Sequence, residues 1–217
     1  MRTWVYVDGF NLYYRAVRGT PFKWLDIHAL CRNTLSPQNQ LLGIKCFTAD
    51  VHPRPADPGV ASRQQLYLHA LRTIPQLEII KGTFLSHVVQ RPQTTASPGW
   101  VTPAAFPPQV GWINVVAEEE KGSDVNLAVH MVHDAHLGRY DVAVLPSNDS
   151  DLAEAVRIVR VELKRKVGLL CPCNPASRRL QRYSTFVRCI DAQALAASQF
   201  PPILTDAIGT FHKPPTW

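Results

Sequence analysis

The chain has 217 residues, 46% of them hydrophobic and 18% charged, with a formal net charge of +6 and a sequence pI of about 9.2. This composition excludes a disordered chain and is typical of one folded domain; its positive charge favours a polyanionic partner, nucleic acid first, or simply a basic surface. No apolar stretch is long enough for a membrane span or a signal peptide, and five scattered cysteines indicate reduced thiols in a cytoplasm.

Short apolar runs alternate with helix-length segments along the chain. Strands are predicted over residues 4–7, 43–48, 77–84, 141–145, 167–171 and 186–190, and helices over 11–18, 25–35, 60–73, 123–137 and 149–164. Continuous apolar strands that alternate with helices are the pattern of a parallel sheet covered on both faces. The sequence therefore predicts an α/β fold with a mainly parallel sheet.

Residues 88–113 interrupt this alternation. They carry five of the eighteen prolines, at positions 92, 98, 103, 107 and 108. We expect a long excursion from the sheet edge at about 90–110, with a hairpin arm bounded by residues 86–89 and 111–116. A loop that touches substrate and a disordered insertion both stay open as interpretations of this segment.

The first predicted strand ends directly at an acidic residue. Asp8 would stand at the carboxyl edge of the sheet, where ligands bind in open α/β folds. Asn11, at the start of the next helix, could hold Asp8 or a metal-bound water. Asp8, Gly9 and Asn11 are also ordinary turn and cap residues, so a turn and a functional site are both open here.

A polar cluster over residues 147–151 follows the strand that ends at Leu145. It contains Asp149 and Asp151 at the start of a predicted helix, whose positive end keeps carboxylates ionised. A helix cap needs one such residue, whereas five stand in a row here. Ionised oxygen ligands suit Mg²⁺ or Mn²⁺, so Asp149 is predicted to bind metal, with Asp151 as either a ligand or a cap.

A third carboxylate, Asp124, opens the predicted helix over 123–137. At about 100° per residue it shares a helix face with the apolar residues Leu127 and Met131. That face must pack on the sheet, and a carboxylate there is costly unless it is paired or bound to a cation. Asp124 is therefore predicted to join the metal site, with a simple helix start at Ser123 as the alternative.

The same helix carries a rival set of metal ligands: His130, His133, Asp134 and His136. The helical rotation places the first two histidines away from Asp124, and the third diverges from both. We therefore expect solvent-facing histidines rather than a zinc site. Glu120 precedes this helix closely enough to be a spare ligand of the carboxylate site.

Three segments together resemble the NYN family of PIN-like nucleases: residues 6–12 (YVDGFNL), 121–127 (KGSDVNL) and 147–152 (SNDSDL). The resemblance extends from residue 4 to about 190. It implies a Rossmann-like three-layer sandwich with the central strand order 3-2-1-4-5, and cleavage of RNA that depends on a divalent metal. The Pro-rich stretch is not part of the family's common pattern.

The resemblance implies that Asp8, Asp124 and Asp149 occupy the family's acidic positions and that Asp151, Asn11 and Ser147 occupy its supporting polar positions. Together with the residue patterns, this predicts catalytic and metal-binding roles for Asp8, Asp124, Asp149 and Asp151, and substrate contacts for Asn11, Ser147, Asn148 and Arg157. The domain is expected over residues 1–192 and a C-terminal tail over 193–217. Arg157 belongs to a late concentration of basic residues that could contact phosphates near the acidic site.

The favoured hypothesis is a ribonuclease that hydrolyses phosphodiester bonds with one or two Mg²⁺ or Mn²⁺ ions in the cytoplasm. The alternative is a non-catalytic RNA-binding or protein-interaction module, whose RNA binding would be sensitive to salt and indifferent to EDTA. A phosphatase for a small phosphoester would use the same site. A nucleotide-cofactor fold is disfavoured because no glycine-rich fingerprint follows the first strand. No membrane association is expected, and a homodimer stays open.

Overall fold

A computed structural model describes residues 1–93 and 111–217 of the chain. The strands in chain order are β1 (Arg2–Asp8), β2 (Gln40–Thr48), β3 (Leu77–Lys81), β4 (Thr83–Pro92), β5 (Trp112–Lys121), β6 (Val142–Leu145), β7 (Lys166–Cys171), β8 (Phe186–Cys189), β9 (Ile203–Thr205) and β10 (Thr210–His212). Six of them form one sheet in the order β3-β2-β1-β6-β7-β8, and every neighbouring pair is parallel.

The predicted α/β class with a mainly parallel sheet is therefore confirmed. The strand order differs in detail from the expected 3-2-1-4-5. Two hairpin strands, β4 and β5, stand between β3 and β6 along the chain, and β8 adds a sixth strand at the sheet edge.

Helices connect the strands. They are α1 (Gly9–Leu12), α2 (Ile27–Thr34), α3 (Val60–Arg72), α4 (Ser123–His136), α5 (Ala153–Arg157), α6 (Arg178–Gln181) and α7 (Ala192–Ala196). Turns of π-helix continue α1 over Tyr13–Val17 and α5 over Ile158–Glu162, and a 3-10 turn over Ser150–Leu152 precedes α5. The predicted helix over 149–164 is thus a chain of three shorter helical pieces.

The helices cover the sheet on both faces, which gives three layers with a hydrophobic core on each side. Side chains alternate along β1 because successive residues of a strand point to opposite faces. Val5 and Val7 pack in the core that includes the apolar sides of α2 and α3, whereas Tyr6 packs in the core of α4 and α5. The sheet therefore lies between two helical layers, one packed on each face.

The excursion predicted after β3 is an antiparallel hairpin. β4 and β5 pair without interruption from Thr83 opposite Lys121 to Pro92 opposite Trp112. The predicted hairpin arm is confirmed and is longer than expected, and the predicted strand over 77–84 divides at Gly82. A Cβ atom there would lie 2.5 Å from the carbonyl oxygen of Lys121, so only glycine fits where the chain passes from β3 into β4. Most of the Pro-rich insertion at 90–110 lies outside the described residues.

The segment over 193–217 packs against the α2 and α3 side of the molecule. β9 and β10 form a short antiparallel hairpin. The ring of Trp217 lies 6.2 Å from that of Trp24 and 5.8 Å from that of Tyr67, measured between centroids. No helix among the described residues has the length and apolar character needed to cross a bilayer.

Candidate metal centre

Three aspartates from separate parts of the chain meet at the carboxyl edge of the sheet. Asp8 ends β1, Asp124 lies in the first turn of α4, and Asp149 follows β6. One carboxylate oxygen from each lies within 4.8 Å of the others. Asp8 is 5% exposed, and the other two are partly exposed, so the cluster is open to solvent on one side.

Asp8 is held by hydrogen bonds to both of its oxygens. The backbone N–H of Asn11 donates to Oδ1 at 2.9 Å, and the hydroxyl of Ser147 donates to Oδ2 at 2.9 Å. The pKa of Asp8 is raised to about 6, mainly by burial and also by the nearby Asp124 and Asp149, against the lowering effect of the two hydrogen bonds. The site thus accumulates negative charge that its own hydrogen bonds only partly offset.

Gly9 explains why a helix begins directly after Asp8. A Cβ at this position would lie 2.8 Å from the backbone oxygen of Phe47 on β2. Glycine therefore lets α1 pack against the neighbouring strand, and Asp8 caps that helix through the Asn11 N–H. This segment was open to two interpretations, a turn and a functional site. The structure combines them, because Asp8 is both a helix cap and a member of the carboxylate cluster.

The loop after β6 is tied to the loop after β1 by polar side chains. Ser147 accepts from the backbone N–H of Asp149 at 3.0 Å while it donates to Asp8. The backbone N–H of Asn148 donates to Oδ1 of Asn11 at 3.0 Å. Asn11 and Ser147 therefore position two of the three carboxylates relative to each other.

Asp124 enters the cluster from the helix that follows the hairpin. Burial raises the pKa of Asp124, and Asp149, Glu120 and Asp151 raise it further in that order. Glu120 accepts from the backbone N–H of Ser123 at 2.9 Å, which anchors the start of α4. The last residues of β5 thus set where Asp124 stands.

The carboxylates open into a cleft of about 220 Å³. The cleft is lined by Asp8, Asp124 and Asp149 together with Phe10, Asn11, Tyr14, Arg15 and Glu120. Sequence reasoning missed the aromatic residues and Arg15. Their proximity could have been expected from their position on the helix that begins at Asp8, where Phe10 and Tyr14 are four residues apart and so share a face.

Three of the expected site residues lie apart from the cluster. Asp151 is exposed, and its backbone N–H donates to Oδ1 of Asp149 at 3.0 Å. The side chain of Asn148 bonds to Cys173 and to the backbone of Pro175 and Ser177, in the loop after β7. Its role in this structure is to join two loops.

Arg157 lies on α5, and its guanidinium group forms ion pairs with carboxylates of its own helical segment. It bonds to Glu154 at 2.7 Å and to Glu162 at 2.6 Å. It does not line the acidic cleft. Asn11 and Ser147 are thus the expected polar residues that the structure brings to the carboxylates.

The rival histidine set does not assemble into a metal site in the part of the chain that the structure describes. Asp134 is buried and forms ion pairs with Lys45 at 2.6 Å and Arg139 at 2.7 Å, and it accepts from the hydroxyl of Tyr6 at 2.8 Å. His133 and His136 are exposed, as expected.

His130 departs from that expectation. It is half-buried, and its Nδ1 lies 3.2 Å from Nζ of Lys45. The reason is the buried lysine, which the sequence showed only as one charge within the apolar run of β2. Lys45, on β2, contacts both Asp134 and His130, and these contacts hold the two side chains against the sheet.

The geometry defines an α/β protein with an acidic centre at the carboxyl edge of a parallel sheet. The chain belongs to the NYN domain family, whose model matches residues 2–191. It is 32% identical over 240 aligned positions to 6-hydroxy-3-succinoylpyridine 3-monooxygenase HspA of Pseudomonas putida (strain DSM 28022 / S16), with 100% of this chain and 75% of that protein covered.

A solved structure is also similar. The crystal structure of a protein of unknown function from Vibrio parahaemolyticus RIMD 2210633 superposes with a TM-score of 0.54, over 92% of this chain and 96% of that one. The two sequences are 17% identical. The similarity therefore supports the fold alone.

Proposed function

We propose that the protein is a divalent-metal-dependent ribonuclease of the PIN-like superfamily that hydrolyses RNA phosphodiester bonds at Asp8, Asp124 and Asp149. The observation that carries the proposal is the meeting of these three carboxylates within 4.8 Å. None of them forms an ion pair with a lysine, arginine or histidine among the residues that the structure describes. Such a group of acids is costly unless a cation joins it.

The residues present fit Mg²⁺ or Mn²⁺. All the ligand atoms are carboxylate oxygens, which these hard cations prefer over the sulfur and imidazole ligands that favour zinc or copper. The raised pKa values of Asp8 and Asp124 have like-charge repulsion among their causes, and a divalent cation would reverse it. A bound metal would supply an activated water and offset the charge of the phosphate.

The chain's own residues would hold and orient the reacting groups. Asn11 and Ser147 fix the direction of the Asp8 carboxylate through hydrogen bonds, in the way that outer residues orient metal ligands. Arg15 lines the same cleft and can contact a substrate phosphate. Phe10 and Tyr14 offer aromatic faces on which bases stack.

RNA is the proposed substrate because the family resemblance and the net charge of +6 both favour a nucleic acid. The cytoplasm is the proposed location, since the five cysteines are free and three of them are buried. Residues 1–192 are proposed as the nuclease domain.

The test compares Asp149→Asn with Asp141→Asn. Asp141 carries the same side chain but lies just before β6, at the opposite edge of the sheet, where it pairs with Arg2. Labelled RNA, labelled single-stranded DNA and p-nitrophenyl phosphate are incubated with Mn²⁺ or with EDTA. We expect Mn²⁺-dependent RNA cleavage that falls by more than about 100-fold in Asp149→Asn, beyond the effect of losing an outer-shell partner.

The control variant should cleave RNA at the wild-type rate. Full activity in Asp149→Asn would refute the assignment of the site. A preference for p-nitrophenyl phosphate over RNA would make the protein a phosphatase instead. RNA binding without cleavage, unaffected by EDTA and by Asp124→Asn, would support the non-catalytic RNA-binding alternative.

A second candidate function comes from the Pseudomonas putida relative, whose name describes a monooxygenase acting on 6-hydroxy-3-succinoylpyridine. The observation that favours it is 32% identity across the whole of this chain. The same preparations are therefore assayed with that compound, O₂ and a two-electron reductant such as NADH, with oxygen consumption and product formation as readouts. Conversion of the pyridine by wild-type protein that leaves RNA intact would replace the nuclease proposal.

A further inference from the structure

A second cavity lies on the other side of α1 from the acidic cleft. Its volume is about 450 Å³. Packing defects in protein interiors are seldom larger than a water molecule, whereas ligand pockets typically span roughly 300–1,000 Å³. The cavity therefore has the size of a binding site for a small organic molecule.

The walls of this cavity are mainly apolar and aromatic. Its aliphatic surface includes Leu12 and Val17 from α1 and its π-helical continuation, and Leu68 and Leu71 from α3. Tyr67 and Trp217, whose rings meet at 5.8 Å, form an aromatic wall. Such a lining accommodates a flat or bulky hydrocarbon body, because burying apolar surface is favourable at about 25 cal/mol per Å².

The charges that line the cavity are unbalanced. Lys23, Arg54 and Arg63 contribute three positive charges, and Asp57 contributes one negative charge. Arg63 pairs with Asp57, and Arg54 pairs with Glu118 of the hairpin. Lys23 is half-buried and forms no ion pair with the residues that the structure describes. A ligand with an anionic group would therefore find a cation that is not already neutralised.

Two polar side chains of the lining, Tyr67 and Gln64, are already engaged within the protein. The Tyr67 hydroxyl donates to the carbonyl oxygen of Leu25 at 2.8 Å. Gln64 accepts from the N–H of Val51 at 2.9 Å and donates to the carbonyl oxygen of Ala49 at 2.8 Å. A nucleobase whose polar edge faced these two side chains would leave that edge unsatisfied, at a cost, whereas an apolar body there would not.

We propose that this cavity binds a small organic anion with an aromatic body, which lies against Tyr67 and Trp217 with its acidic group toward Lys23. The proposal goes beyond the nuclease function and does not depend on it. Phe10 and Tyr14 line both the cavity and the acidic cleft, so the ligand would lie directly behind one wall of the carboxylate site.

The test uses two fluorescent probes that differ in charge. Anilinonaphthalene sulfonate is an aromatic anion, and N-phenylnaphthylamine has the same body without the sulfonate. Both are titrated into wild-type protein, into Lys23→Gln and into Lys166→Gln. Lys166 is exposed at the first position of β7 and is not among the residues that line the cavity, so it provides the matched control.

We expect one anionic probe to bind per chain, and its dissociation constant to rise about tenfold in Lys23→Gln, as for the loss of one charge-assisted contact. Binding of the neutral probe should change little in that variant, and the control variant should bind both probes like the wild type. Equal effects of Lys23→Gln and Lys166→Gln would overturn the role of Lys23.

A second variant tests the location. Val60 lines the cavity at the start of α3, and Val60→Trp should weaken both probes by filling the space. Val129→Trp places the same bulk on an exposed position of α4, which is 60% exposed, and should leave binding unchanged. Circular dichroism checks that both variants fold. Undiminished probe binding in a folded Val60→Trp would refute the site.

Adenosine monophosphate distinguishes a nucleotide ligand from the proposed one. It should fail to displace the anionic probe at concentrations where an aromatic carboxylate such as indole-3-acetate succeeds. Displacement by the nucleotide alone would overturn the proposed ligand class. Because these measurements follow binding without RNA cleavage, their outcome is separate from that of the nuclease test.

Discussion

Replacing Asp8 by asparagine should stabilise the metal-free protein at neutral pH while it removes a proposed metal ligand. Asp8 is 5% exposed and stands beside Asp124 and Asp149. Its ionised carboxylate is therefore both desolvated and repelled by like charges. Asparagine has nearly the same shape and carries no charge.

The size of the effect follows from the pKa of Asp8, which is raised from 3.8 to about 6, first by burial and then by the neighbouring acids. Because the folded protein binds this proton more tightly than the unfolded chain does, stability falls as the pH rises through this window and stays lower above it. At about 1.4 kcal/mol for each tenfold change in proton affinity, the ionised group costs about 3 kcal/mol.

One interaction opposes this gain. The asparagine oxygen can still accept from the Asn11 N–H, but its NH₂ group replaces the oxygen that accepts from the Ser147 hydroxyl. The loss of one hydrogen bond costs about 1 kcal/mol. The net stabilisation is therefore about 2 kcal/mol, which in a chain of this size raises Tm by roughly 4–8 °C.

Urea unfolding in EDTA, followed by circular dichroism at about pH 8 and at about pH 4, measures the difference. The gain in Asp8→Asn should be present at the higher pH and largely absent at the lower. Adding Mn²⁺ should then stabilise the wild type by mass action and leave the variant unchanged. Asp141→Asn is the control and should be slightly destabilised at the higher pH, because Arg2 holds the pKa of Asp141 below its usual value.

A variant Asp8→Asn that is less stable than the wild type in EDTA at the higher pH would refute this reasoning. It would mean that the hydrogen bonds to Asp8 outweigh the burial of its charge. Equal gains at both pH values would show that the effect does not arise from ionisation.

Three further predictions concern the surroundings of the site. Lys45→Met should lower the free energy of unfolding by about 3–5 kcal/mol, because it leaves Asp134 buried without its main partner; a loss below about 1 kcal/mol in urea unfolding would contradict the importance of this pair. Gly9→Ala should cost about 1–3 kcal/mol and weaken Mn²⁺ binding in calorimetry, since its Cβ would lie 2.8 Å from a backbone oxygen of β2. Asp151→Asn should reduce Mn²⁺ affinity less than tenfold, because an exposed carboxylate outside the cluster acts only through the field; a loss as large as that of a cluster aspartate would make Asp151 a direct ligand.

Much of the sheet could be predicted because its determinants are local. The apolar runs of β1, β2, β6 and β7 are short and continuous, which distinguishes buried parallel strands from amphipathic helices. The predicted ends of the strands were only approximate. For example, β3 ends at Lys81 rather than at residue 84, because the chain passes through Gly82 into the hairpin. The Pro-rich composition indicated an excursion but could not give the ten-residue pairing of its two arms.

The candidate site could be predicted from the sequence only in part. The sequence placed Asp8 and Asp149 at strand ends, and the carboxyl ends of parallel strands share one edge. The sequence could not show which polar neighbours of these aspartates point toward the carboxylate cluster. Asn148 turns to the loop after β7 and Arg157 to its own helix, because each finds partners whose positions depend on the folded chain.

The sequence by itself determined that carboxylates would stand at the carboxyl edge of a parallel sheet, because each lies next to a strand or helix whose pattern is local. Only the tertiary structure decided that Asp8, Asp124 and Asp149 meet within 4.8 Å while Asp151 stays outside, because β1 and β6 are adjacent only in the folded sheet. It also decided that Lys45 is buried against Asp134 and that a cavity opens behind α1. These features depend on contacts between residues far apart in the chain, which no local pattern encodes.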